Sequence, residues 1–578
     1  MTILINEKTT KNMALATTFV RMRDDVNLRT EIYTPGEQNL GPVLLIRTPY
    51  SEPMQRSLPI VPAVAEGFTV VIQYCRGTYG SEGSLEAFES EREDGLDTFE
   101  WIREQEWCDG NIVMFGQSYL GMTQNAVAGS RPGGLRGMVQ SVTTHSYRDG
   151  LAFQQGAFQL GQGLGWHLLK VGQTLADYSA AGRTDHFPQR QAFMELLSKT
   201  DEAYRVLPSS NLPAITDVLP SWNKWIENES QPEYWKSFSF TDERTKTQVP
   251  VLHIGGWFDL FLSGTIDNYV TISNGAERED IRSQQHLIIG PWTHTDQTGN
   301  AGELLFASGG AAAIGLEQQQ ISFLKASVAG ERSNLPPVQL YIMGSNIWRN
   351  EQEWPLARTE WQEWQLTEHR ELVSNGYSAG SALLEFKNDP TNPVPTIGGR
   401  TLMPGGLDGG MHFQPGTRDQ RILDERTDIL SFTSIPLDTD LEVTGPVNAT
   451  LTVSTSAEDA DFAVRLIDVY PDGRAMGVTE GILRLRYREG MDEQLPVVPD
   501  QPYTVTVSLV ATGQLFKRGH RLRVDISGSN FPCFDRNLGT GKSIKENSAT
   551  DVREFTQSLH FGPSCPMSIT LPIIPNSN

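Results

Sequence analysis

The sequence predicts an α/β domain that contains an inserted helical segment and is followed by an antiparallel β-sandwich. Three patterns lead to this fold class: the first 150 residues alternate strand-like and helix-like segments, residues 151–240 lack strand patterns, and the last third alternates apolar and polar residues. Repeated βαβ units imply a mostly parallel sheet with helices on both faces. We therefore assign 1–150 and 241–355 to the α/β core, 151–240 to a helical cap and 356–578 to the sandwich.

The first part of the α/β core carries strand and helix patterns in alternation. Residues 41–50 and 67–77 are short apolar runs that end in turn residues, as buried parallel strands do. Residues 91–107 begin with acids, which suit a helix N-terminus, and then carry apolar residues at every third position. Residues 111–129, NIVMFGQSYLGMTQNAVAG, predict a strand, an abrupt turn and a helix.

The helical segment separates two stretches of the core. Residues 151–240 are rich first in Gln, Leu and aromatic residues and later in Trp, Pro and charges, which indicates helices. Strand patterns return at 249–259 and 285–294, so the helical segment interrupts the α/β domain. Inserted caps commonly cover an active site. The alternative for this segment is an oligomer surface, as in a homodimer.

The C-terminal part has the two-residue period of half-buried strands. In 447–453, Val, Ala and Leu alternate with Asn and Thr, and 503–509 and 521–527 follow the same pattern. Such segments, separated by turns, indicate an antiparallel β-sandwich.

Composition and charge exclude several classes of function. The formal net charge of −23 is spread along the chain, which argues against nucleic acid as a partner because phosphates require a basic surface. The N-terminus lacks a secretory signal pattern, and no run approaches the roughly 18 apolar residues of a membrane helix. The 4 cysteines form neither a disulfide framework nor a CxxC zinc pair. We expect a cytoplasmic protein with no membrane association, no metal and no cofactor.

The strongest catalytic signal is the motif GQSYLG around Ser118, which follows the apolar run IVMF. A nucleophilic serine projects from a tight strand-to-helix turn, where small neighbours avoid clashes in a strained backbone. The usual motif is GxSxG, and here the second glycine falls one residue later, at Gly121. The position between a buried strand and a helix favours a catalytic serine over an ordinary turn.

A serine nucleophile needs a general base and an acid that orients the base. When the serine comes first in such a fold, the acid and then the histidine follow at the ends of later strands. Asp259 ends the run VLHIGGWF, and His294 ends the run HLIIGPWT. Both lie at the carboxyl edge of the predicted sheet, where open α/β sheets place their sites.

Other histidines and aspartates compete for these roles. His253 and His286 lie inside strand runs, which predicts buried, hydrogen-bonded residues rather than catalysts. His145 follows VQSVTT and is the main rival as base. Asp267 and Asp296 are rivals as acid, but they lie beyond the strand ends.

The tetrahedral intermediate needs an oxyanion hole. The backbone N–H of Tyr119, directly after the serine, is one expected donor. The second should come from the loop after an early strand, which here is RTPY at 47–50. No HGGG motif is present, so the Tyr50 hydroxyl is the candidate, and a packing role in a proline turn is the alternative.

Several ordered blocks of sequence resemble one family of serine hydrolases. They are RTPY, CRGTYGSEG, EDGLDTFEWIREQEWCDGNIVMFGQSYLG, GGWFDLF and GPWTH, followed by MGSNIWRNEQEWP, DFAVRLIDVYPDGRA and GHRLRVDISGSNFPCFDRN. The chain resembles the bacterial cocaine esterase group. This group belongs to the same family as X-prolyl dipeptidyl peptidases, α-amino-acid ester hydrolases and glutaryl cephalosporin acylases. The resemblance covers nearly the whole chain. It implies an α/β hydrolase with a helical cap and a jelly-roll-like sandwich.

The resemblance also implies roles for individual residues. It makes Ser118 the nucleophile, Asp259 the acid and His294 the base, with the Tyr50 hydroxyl and the Tyr119 N–H as oxyanion donors. It further suggests that the acyl pocket is lined by Trp166, Phe261, Leu402 and Met403. The esterase pocket has an aromatic residue just after a Tyr-Arg pair, where this chain has Leu151. We therefore expect benzoyl esters to be poor substrates.

The residues after Asp259 predict whether the pocket accepts a charged or a neutral acyl group. Amino-ester hydrolases of the group carry acids two and three positions after the catalytic Asp, and here these positions are Phe261 and Leu262. An ammonium facing two apolar side chains loses hydration without gaining a counter-charge. We therefore expect hydrolysis of small-molecule esters with an apolar acyl group. An amide hydrolase, either an acylase of β-lactam side chains or a peptidase, is the alternative with the same triad. A sugar- or partner-binding role of the sandwich is a third possibility.

Overall fold

The computed structural model describes residues 13–36, 40–51, 58–374, 376–377, 380–402 and 414–575. The strands, in chain order, are β1 (Ala14–Arg21), β2 (Asn27–Thr34), β3 (Gly41–Thr48), β4 (Thr69–Tyr74), β5 (Cys108–Gln117), β6 (Leu135–Ser141), β7 (Phe153–Gln154), β8 (Ala157–Phe158), β9 (Val251–Phe258), β10 (Gln285–Thr293), β11 (Asn300–Ala301), β12 (Leu304–Leu305), β13 (Val338–Ile342), β14 (Ile347–Glu351), β15 (Glu360–Leu366), β16 (Leu372–Val373), β17 (Ala382–Asn388), β18 (Ile429–Thr433), β19 (Leu441–Thr455), β20 (Asp461–Val469), β21 (Ala475–Arg484), β22 (Tyr503–Phe516), β23 (Arg521–Ser527), β24 (Phe555–Phe561) and β25 (Ser568–Ile574).

Among the described residues, all the α-helices lie between β3 and β13. They are α1 (Ile60–Ala65), α2 (Glu91–Arg103), α3 (Tyr119–Ala128), α4 (Leu160–Ala180), α5 (Phe187–Leu197), α6 (Thr200–Arg205), α7 (Pro213–Thr216), α8 (Ser221–Glu227), α9 (Pro232–Lys236), α10 (Leu262–Gly275), α11 (Glu279–Arg282) and α12 (Leu316–Ala329).

The α/β domain is built on one large mixed sheet. Its strand order is β1-β2-β4-β3-β5-β6-β9-β10-β13-β14. The seven neighbouring strands β4, β3, β5, β6, β9, β10 and β13 pair in parallel. Strands β1 and β2 at one edge and β14 at the other edge are antiparallel additions. The central strands β4, β9 and β10 are buried throughout, because helices cover both faces of a parallel sheet. The predicted strands and helices of the core are thus present.

The cap inserted between β6 and β9 is helical, as predicted, with one difference. Residues of β7 and β8 form a two-stranded hairpin at its start, where the sequence predicts no strand. Gly156 makes the turn with φ +89°, and a Cβ there would lie 2.3 Å from the Tyr487 ring. The hairpin therefore depends on contact with the C-terminal domain, which a local sequence pattern does not contain.

The C-terminal domain is a sandwich of two antiparallel sheets. The first has the order β16-β15-β25-β19-β24-β17, with β22 also paired with β19, and the second has the order β18-β23-β20-β21. The alternation predicted for β19 is present, since Val447, Ala449 and Leu451 are fully buried while Asn448 and Thr450 are half-buried. Apolar side chains of both sheets share one core.

The cap is tied to the sandwich by buried charges. The Glu229 carboxylate of the cap accepts hydrogen bonds from the Arg486 guanidinium at 2.7 Å, the Tyr487 hydroxyl at 3.3 Å and the Ile544 N–H at 3.1 Å. Phe531 and Cys533 of the sandwich belong to the same apolar cluster as the cap helices and the central sheet. The three parts therefore enclose the space between them.

Candidate active site

Ser118 lies in the sharp turn between β5 and α3, at the carboxyl edge of the sheet. Its backbone has φ +57° and ψ −124°, a region that is costly for a residue with a side chain. The turn is held from both sides, because the Ser118 N–H donates to Ser141 O at 2.9 Å and Thr143 Oγ1 donates to Ser118 O at 2.9 Å. The strain and its support present the Oγ atom at a fixed position.

The two glycines of the GQSYLG motif allow close packing around this turn. A Cβ on Gly116 would lie 2.3 Å from Leu120 Cβ, and one on Gly121 would lie 2.7 Å from Thr143 Cβ. Gly121 thus lets α3 approach the loop after β6. This contact explains why a glycine is required one residue later than in the usual motif.

His294 joins Asp259 and Ser118 in one hydrogen-bonded chain. His294 Nδ1 lies 2.6 Å from Asp259 Oδ1, and His294 Nε2 lies 2.9 Å from Ser118 Oγ. Asp259 is fully buried and His294 is 7% exposed. With the proton on Nδ1 the ring donates to the carboxylate, and Nε2 is then free to accept the proton of the serine hydroxyl.

The glycines of GGWFD and GPWTH shape the strand ends that carry these two side chains. The pairing of β9 with β10 shifts register between Gly290 and Thr293. A Cβ on Gly290 would lie 2.2 Å from Trp292 Cε2, and one on Gly256 would lie 2.3 Å from Trp292 O. Gly290 therefore makes room for the Trp292 indole, which donates to Gly309 O at 2.8 Å, and Gly256 makes room for the Trp292 backbone.

The alternative candidates for the base and the acid form hydrogen bonds with residues other than Ser118. His145 bonds to Thr241 Oγ1 at 3.1 Å and to Asp267 Oδ2 at 2.8 Å, so the rival base pairs with a rival acid. Burial lowers the pKa of His145, which its Asp267 partner offsets in part. Asp296 Oδ1 instead accepts from Thr298 N at 2.7 Å within its own loop.

The two histidines inside strands are buried and hydrogen-bonded, as the sequence predicts. His253 Nε2 lies 3.3 Å from Gln285 Oε1, and His286 Nδ1 lies 2.9 Å from Pro336 O. Burial lowers the pKa of both imidazoles, so they are neutral at pH 7.

Tyr50 is buried beside the serine. Its hydroxyl oxygen accepts a hydrogen bond from Trp166 Nε1 at 3.1 Å, so α4 of the cap holds a residue of the core loop. Burial raises the pKa of Tyr50 to about 12, while its side-chain hydrogen bonds with Trp166 and Ser118 lower it in part. The phenol is therefore protonated through the ordinary working range of pH and is able to donate a hydrogen bond.

Tyr119 is the first residue of α3, where backbone N–H groups have no acceptor within the helix. Its side chain is anchored below the turn, since its hydroxyl donates to Glu91 Oε1 at 2.9 Å. The other oxygen of Glu91 accepts from Arg47 at 2.7 Å, and Arg47 is fully buried. Glu91 is one of the acids from which the sequence predicts a helix N-terminus. It thus also links β3, the strand before Tyr50, to α3, the helix after Ser118.

An apolar cavity of about 280 Å³ opens at Ser118. It lies where the central sheet, the cap and the sandwich meet. Its described lining comprises Thr48, Tyr50, Ser51, Leu58, Phe88, Gln117, Ser118, Tyr119, Leu120, Met122, Leu151, Gln162, Gly163, Trp166, Leu169, Trp225, Leu260, Phe261, His294, Thr295 and Leu402.

The residues that the family resemblance places at the acyl pocket all line the cavity, except Met403, whose position the structure does not describe. Trp166, Phe261, Leu402 and Leu151 line the cavity, and the Phe261 ring meets His294 edge-on at 5.3 Å. Met403 lies outside the described residues. The expectation that Leu262 also faces the pocket is wrong, because its side chain is buried under β9, with Cδ1 3.1 Å from where a Cβ on Gly255 would be.

Sequence reasoning missed several cavity residues. Phe88 stacks on Tyr119 with ring centroids 4.6 Å apart, and Trp225 stacks on Trp166 at 6.0 Å. These residues come from separate loops and helices, so no local pattern connects them. Gln162 could have been found, because it precedes Trp166 by one helical turn and residues four apart share a helix face.

Comparison with known proteins places this chain in a family. The family model "X-Pro dipeptidyl-peptidase (S15 family)" matches residues 24–296, and the model of the "X-Pro dipeptidyl-peptidase C-terminal non-catalytic domain" matches residues 331–570. The cocaine esterase of Rhodococcus sp. (strain MB1 Bresler) is 33% identical over 96% of this chain and 97% of its own length. The chain belongs to the cocaine esterase and X-Pro dipeptidyl-peptidase (S15) family.

Solved structures agree with this family assignment. An α-amino acid ester hydrolase covers 99% of both chains with 26% identity and a TM-score of 0.79. An aminopeptidase of the marine sediment archaeon Thaumarchaeota archaeon shares the fold, with 24% identity, a TM-score of 0.81, and coverage of 98% of this chain and 97% of its own. The two-domain architecture of this S15 member, an α/β hydrolase with a C-terminal β-sandwich, is thus common to these proteins. Among the described residues, no helix is long and apolar enough to cross a bilayer.

Proposed function

We propose that this protein hydrolyses carboxylic esters with an apolar acyl group through an acyl-enzyme on Ser118. The observation that carries the proposal is the hydrogen-bonded chain from Asp259 through His294 to Ser118, which ends in an apolar cavity. This arrangement has the geometry of a serine nucleophile, its base and the acid that orients the base. The names of the relatives, a cocaine esterase and an α-amino acid ester hydrolase, support an ester as the substrate.

The reaction proceeds in two displacement steps. Ser118 Oγ attacks the carbonyl carbon while His294 Nε2 takes the hydroxyl proton, and the carbonyl electron pair moves to the oxygen. The tetrahedral intermediate collapses when His294 gives the proton to the departing alkoxide, which leaves the acyl group on Ser118. Water then repeats the sequence with His294 as base, and the acid is released. Asp259 stabilises the imidazolium in both steps.

The developing oxyanion is stabilised by two donors from different elements. The Tyr50 hydroxyl comes from the loop after β3, and the Tyr119 N–H comes from the start of α3. Preorganised donors of this kind act strongly in apolar surroundings, and both residues are buried at a largely apolar cavity. The Trp166 bond to the Tyr50 oxygen supports this role, since it orients the phenol and leaves its O–H to donate elsewhere.

The lining of the cavity favours a neutral acyl group. Of the described residues that form it, none is Asp, Glu, Lys or Arg. Phe261 occupies the position at which amino-ester hydrolases carry an acid. An α-ammonium group would lose its hydration here without a counter-charge, which disfavours amino-acyl esters and dipeptidyl peptidase activity.

Amide hydrolysis is the second candidate, because the family model that matches the catalytic half is named for a peptidase. The same triad serves both reactions, and the two differ in the leaving group that His294 must protonate. Matched phenylacetyl ester and phenylacetyl amide substrates distinguish them. We expect the ester to be hydrolysed at the higher kcat/KM. A higher kcat/KM for the amide would make this chain an acylase.

A fluorophosphonate probe tests the nucleophile directly. The wild-type protein should be labelled once, and the labelled peptide identified by mass spectrometry should contain Ser118. Ser118→Ala should abolish the labelling. Labelling of another residue, or full labelling of Ser118→Ala, would contradict the proposal.

A further inference from the structure

Gln162 is a buried polar residue in the wall of a largely apolar cavity. It lies in the first turn of α4, four residues before Trp166, and its side chain is 6% exposed. Both residues line the cavity from the same face of the helix. A glutamine amide has two donors and an acceptor oxygen, so its burial is costly unless these are used.

The donor end of this amide is engaged within the protein. Gln162 Nε2 donates to the backbone oxygen of Leu151, and Gln159 Nε2 donates to the same oxygen at 3.3 Å. A flipped amide would set Gln162 Oε1 against this carbonyl, which repels another oxygen. The contact with Leu151 therefore fixes the orientation of the amide, so that Oε1 and not Nε2 remains to accept a hydrogen bond from an occupant of the cavity.

The acceptor end has no partner in the protein. Gln162 Oε1 is buried and makes no hydrogen bond with any described residue. Buried side-chain oxygens are normally paired, and an unpaired one calls for an explanation. A ligand that donates a hydrogen bond to this oxygen would supply one.

We infer that Gln162 Oε1 selects acyl groups that carry a neutral hydrogen-bond donor, such as a hydroxyl, on an otherwise apolar frame. The inference rests on the proposed ester hydrolase function and adds the substrate class. The acyl side is favoured because Gln162 contacts Leu151 and lines the same cavity as Phe261, beside which the proposed function places the acyl group. A neutral donor is favoured over an ammonium because the acceptor is an uncharged amide and no described lining residue is acidic.

The test compares esters that differ in a single donor. The substrates are the ortho, meta and para isomers of hydroxyphenylacetyl esters and of methoxyphenylacetyl esters, all with one leaving group. The methoxy group has a similar position but cannot donate. For at least one isomer, the wild-type protein should favour hydroxy over methoxy by about tenfold in kcat/KM, as one hydrogen bond in a water-excluded site provides.

Two variants assign this preference to the acceptor oxygen. Gln162→Met keeps the length and helix propensity of the side chain but lacks the oxygen, so the hydroxy-to-methoxy ratio should fall to about one for every isomer. Gln159→Met weakens the contact with the Leu151 carbonyl but keeps Gln162, so the ratio should persist. Using a ratio cancels any general disturbance of the pocket. The inference is overturned if no isomer shows the preference, if Gln162→Met retains it, or if Gln159→Met also removes it.

A binding measurement separates this inference from the proposed function. Calorimetric titration of Ser118→Ala with hydroxyphenylacetamide and methoxyphenylacetamide isomers requires no hydrolysis. Tighter binding of a hydroxy isomer that is lost in Ser118→Ala combined with Gln162→Met would support the acceptor role even if the wild-type protein cleaves no ester. Ester hydrolysis without any such difference would leave the proposed function intact and contradict the inference.

Discussion

The indole Nε1 of Trp166 donates a hydrogen bond to the hydroxyl oxygen of Tyr50 at 3.1 Å. The two residues come from different parts of the molecule, the cap helix α4 and the loop after β3. The hydroxyl oxygen therefore accepts from the cap, which turns the hydroxyl proton toward Ser118, where we expect the substrate carbonyl to bind. The cap thus contributes to the wall of the cavity and also holds Tyr50, the residue that we propose as an oxyanion donor.

The first prediction concerns the Tyr50 hydroxyl. Tyr50→Phe removes one oxyanion donor, which typically lowers turnover by about 100- to 1000-fold. Steady-state kinetics on a phenylacetyl ester measure this loss, and circular dichroism confirms folding. Tyr147→Phe is the matched control, because the Tyr147 hydroxyl is also buried, has no partner among the described residues and is not among the lining residues. A loss below about tenfold in Tyr50→Phe would return Tyr50 to a packing role.

The second prediction concerns the base. His294→Ala should lower turnover by about 10⁴-fold or more, as removal of a triad member does in serine hydrolases. His145→Ala is the control, because it removes a buried histidine paired with Asp267 and not with Ser118. A large loss of turnover in His145→Ala with near-normal His294→Ala would reassign the base. Melting temperatures of both variants check that the comparison is made on folded protein.

The third prediction concerns the charge of the acyl group. A phenylacetyl ester should exceed its phenylglycyl counterpart in kcat/KM by at least about 100-fold at neutral pH, because an ammonium buried beside Phe261 has no counter-charge. Phe261→Asp should narrow this gap, since a carboxylate then faces the ammonium. Phe261→Leu is the matched control and should keep the gap. Equal rates on the two esters in the wild-type protein would favour the amino-ester hydrolase or peptidase alternative.

The fourth prediction concerns Lys170, a buried lysine behind the Tyr50 loop. Its ammonium donates to Pro49 O and to Gln173 Oε1, and it lies 5.5 Å from the Tyr50 ring centroid. Burial lowers its pKa from 10.5 to about 8, which the charge of Asp177 offsets in part. The folded state therefore releases this proton near pH 8, whereas the unfolded state holds it until about pH 10.5.

Because the unfolded state binds more protons between these values, the contribution of Lys170 to the free energy of unfolding should rise with pH across this window. The shift from 10.5 to about 8 corresponds to about 3 kcal/mol in total. Lys170→Met should lack this contribution, so its melting temperature should fall relative to the wild type between pH 8 and pH 10.5. Lys545→Met removes an exposed lysine and should show no such change. A constant difference between Lys170→Met and the wild type would refute the prediction.

Much of the fold and the juxtaposition of Ser118, His294 and Asp259 could be predicted because they follow from local patterns and chain order. Parallel strands such as β9 and β10 are short apolar runs, and their carboxyl ends meet at one edge of the sheet. Asp259 and His294 end these two runs, so their proximity to Ser118 follows once the strands are recognised. The β7–β8 hairpin and the inward position of Leu262 could not be predicted, because contacts with distant residues decide them.

The sequence by itself determined the domain order, the strand–turn–helix around Ser118 and which aspartate and histidine lie beside this serine. Each depends on periodicity or on position at a strand end, which are properties of short segments. Only the tertiary structure decided that Tyr50 is held by Trp166, 116 positions away, and that Glu91 connects Arg47 to Tyr119. It likewise decided that Gln162, whose side-chain oxygen is buried and unpaired, is one of the residues that line the cavity. These relationships arise from packing between the sheet, the cap and the sandwich, because hydrogen bonds between distant residues depend on where complete elements meet.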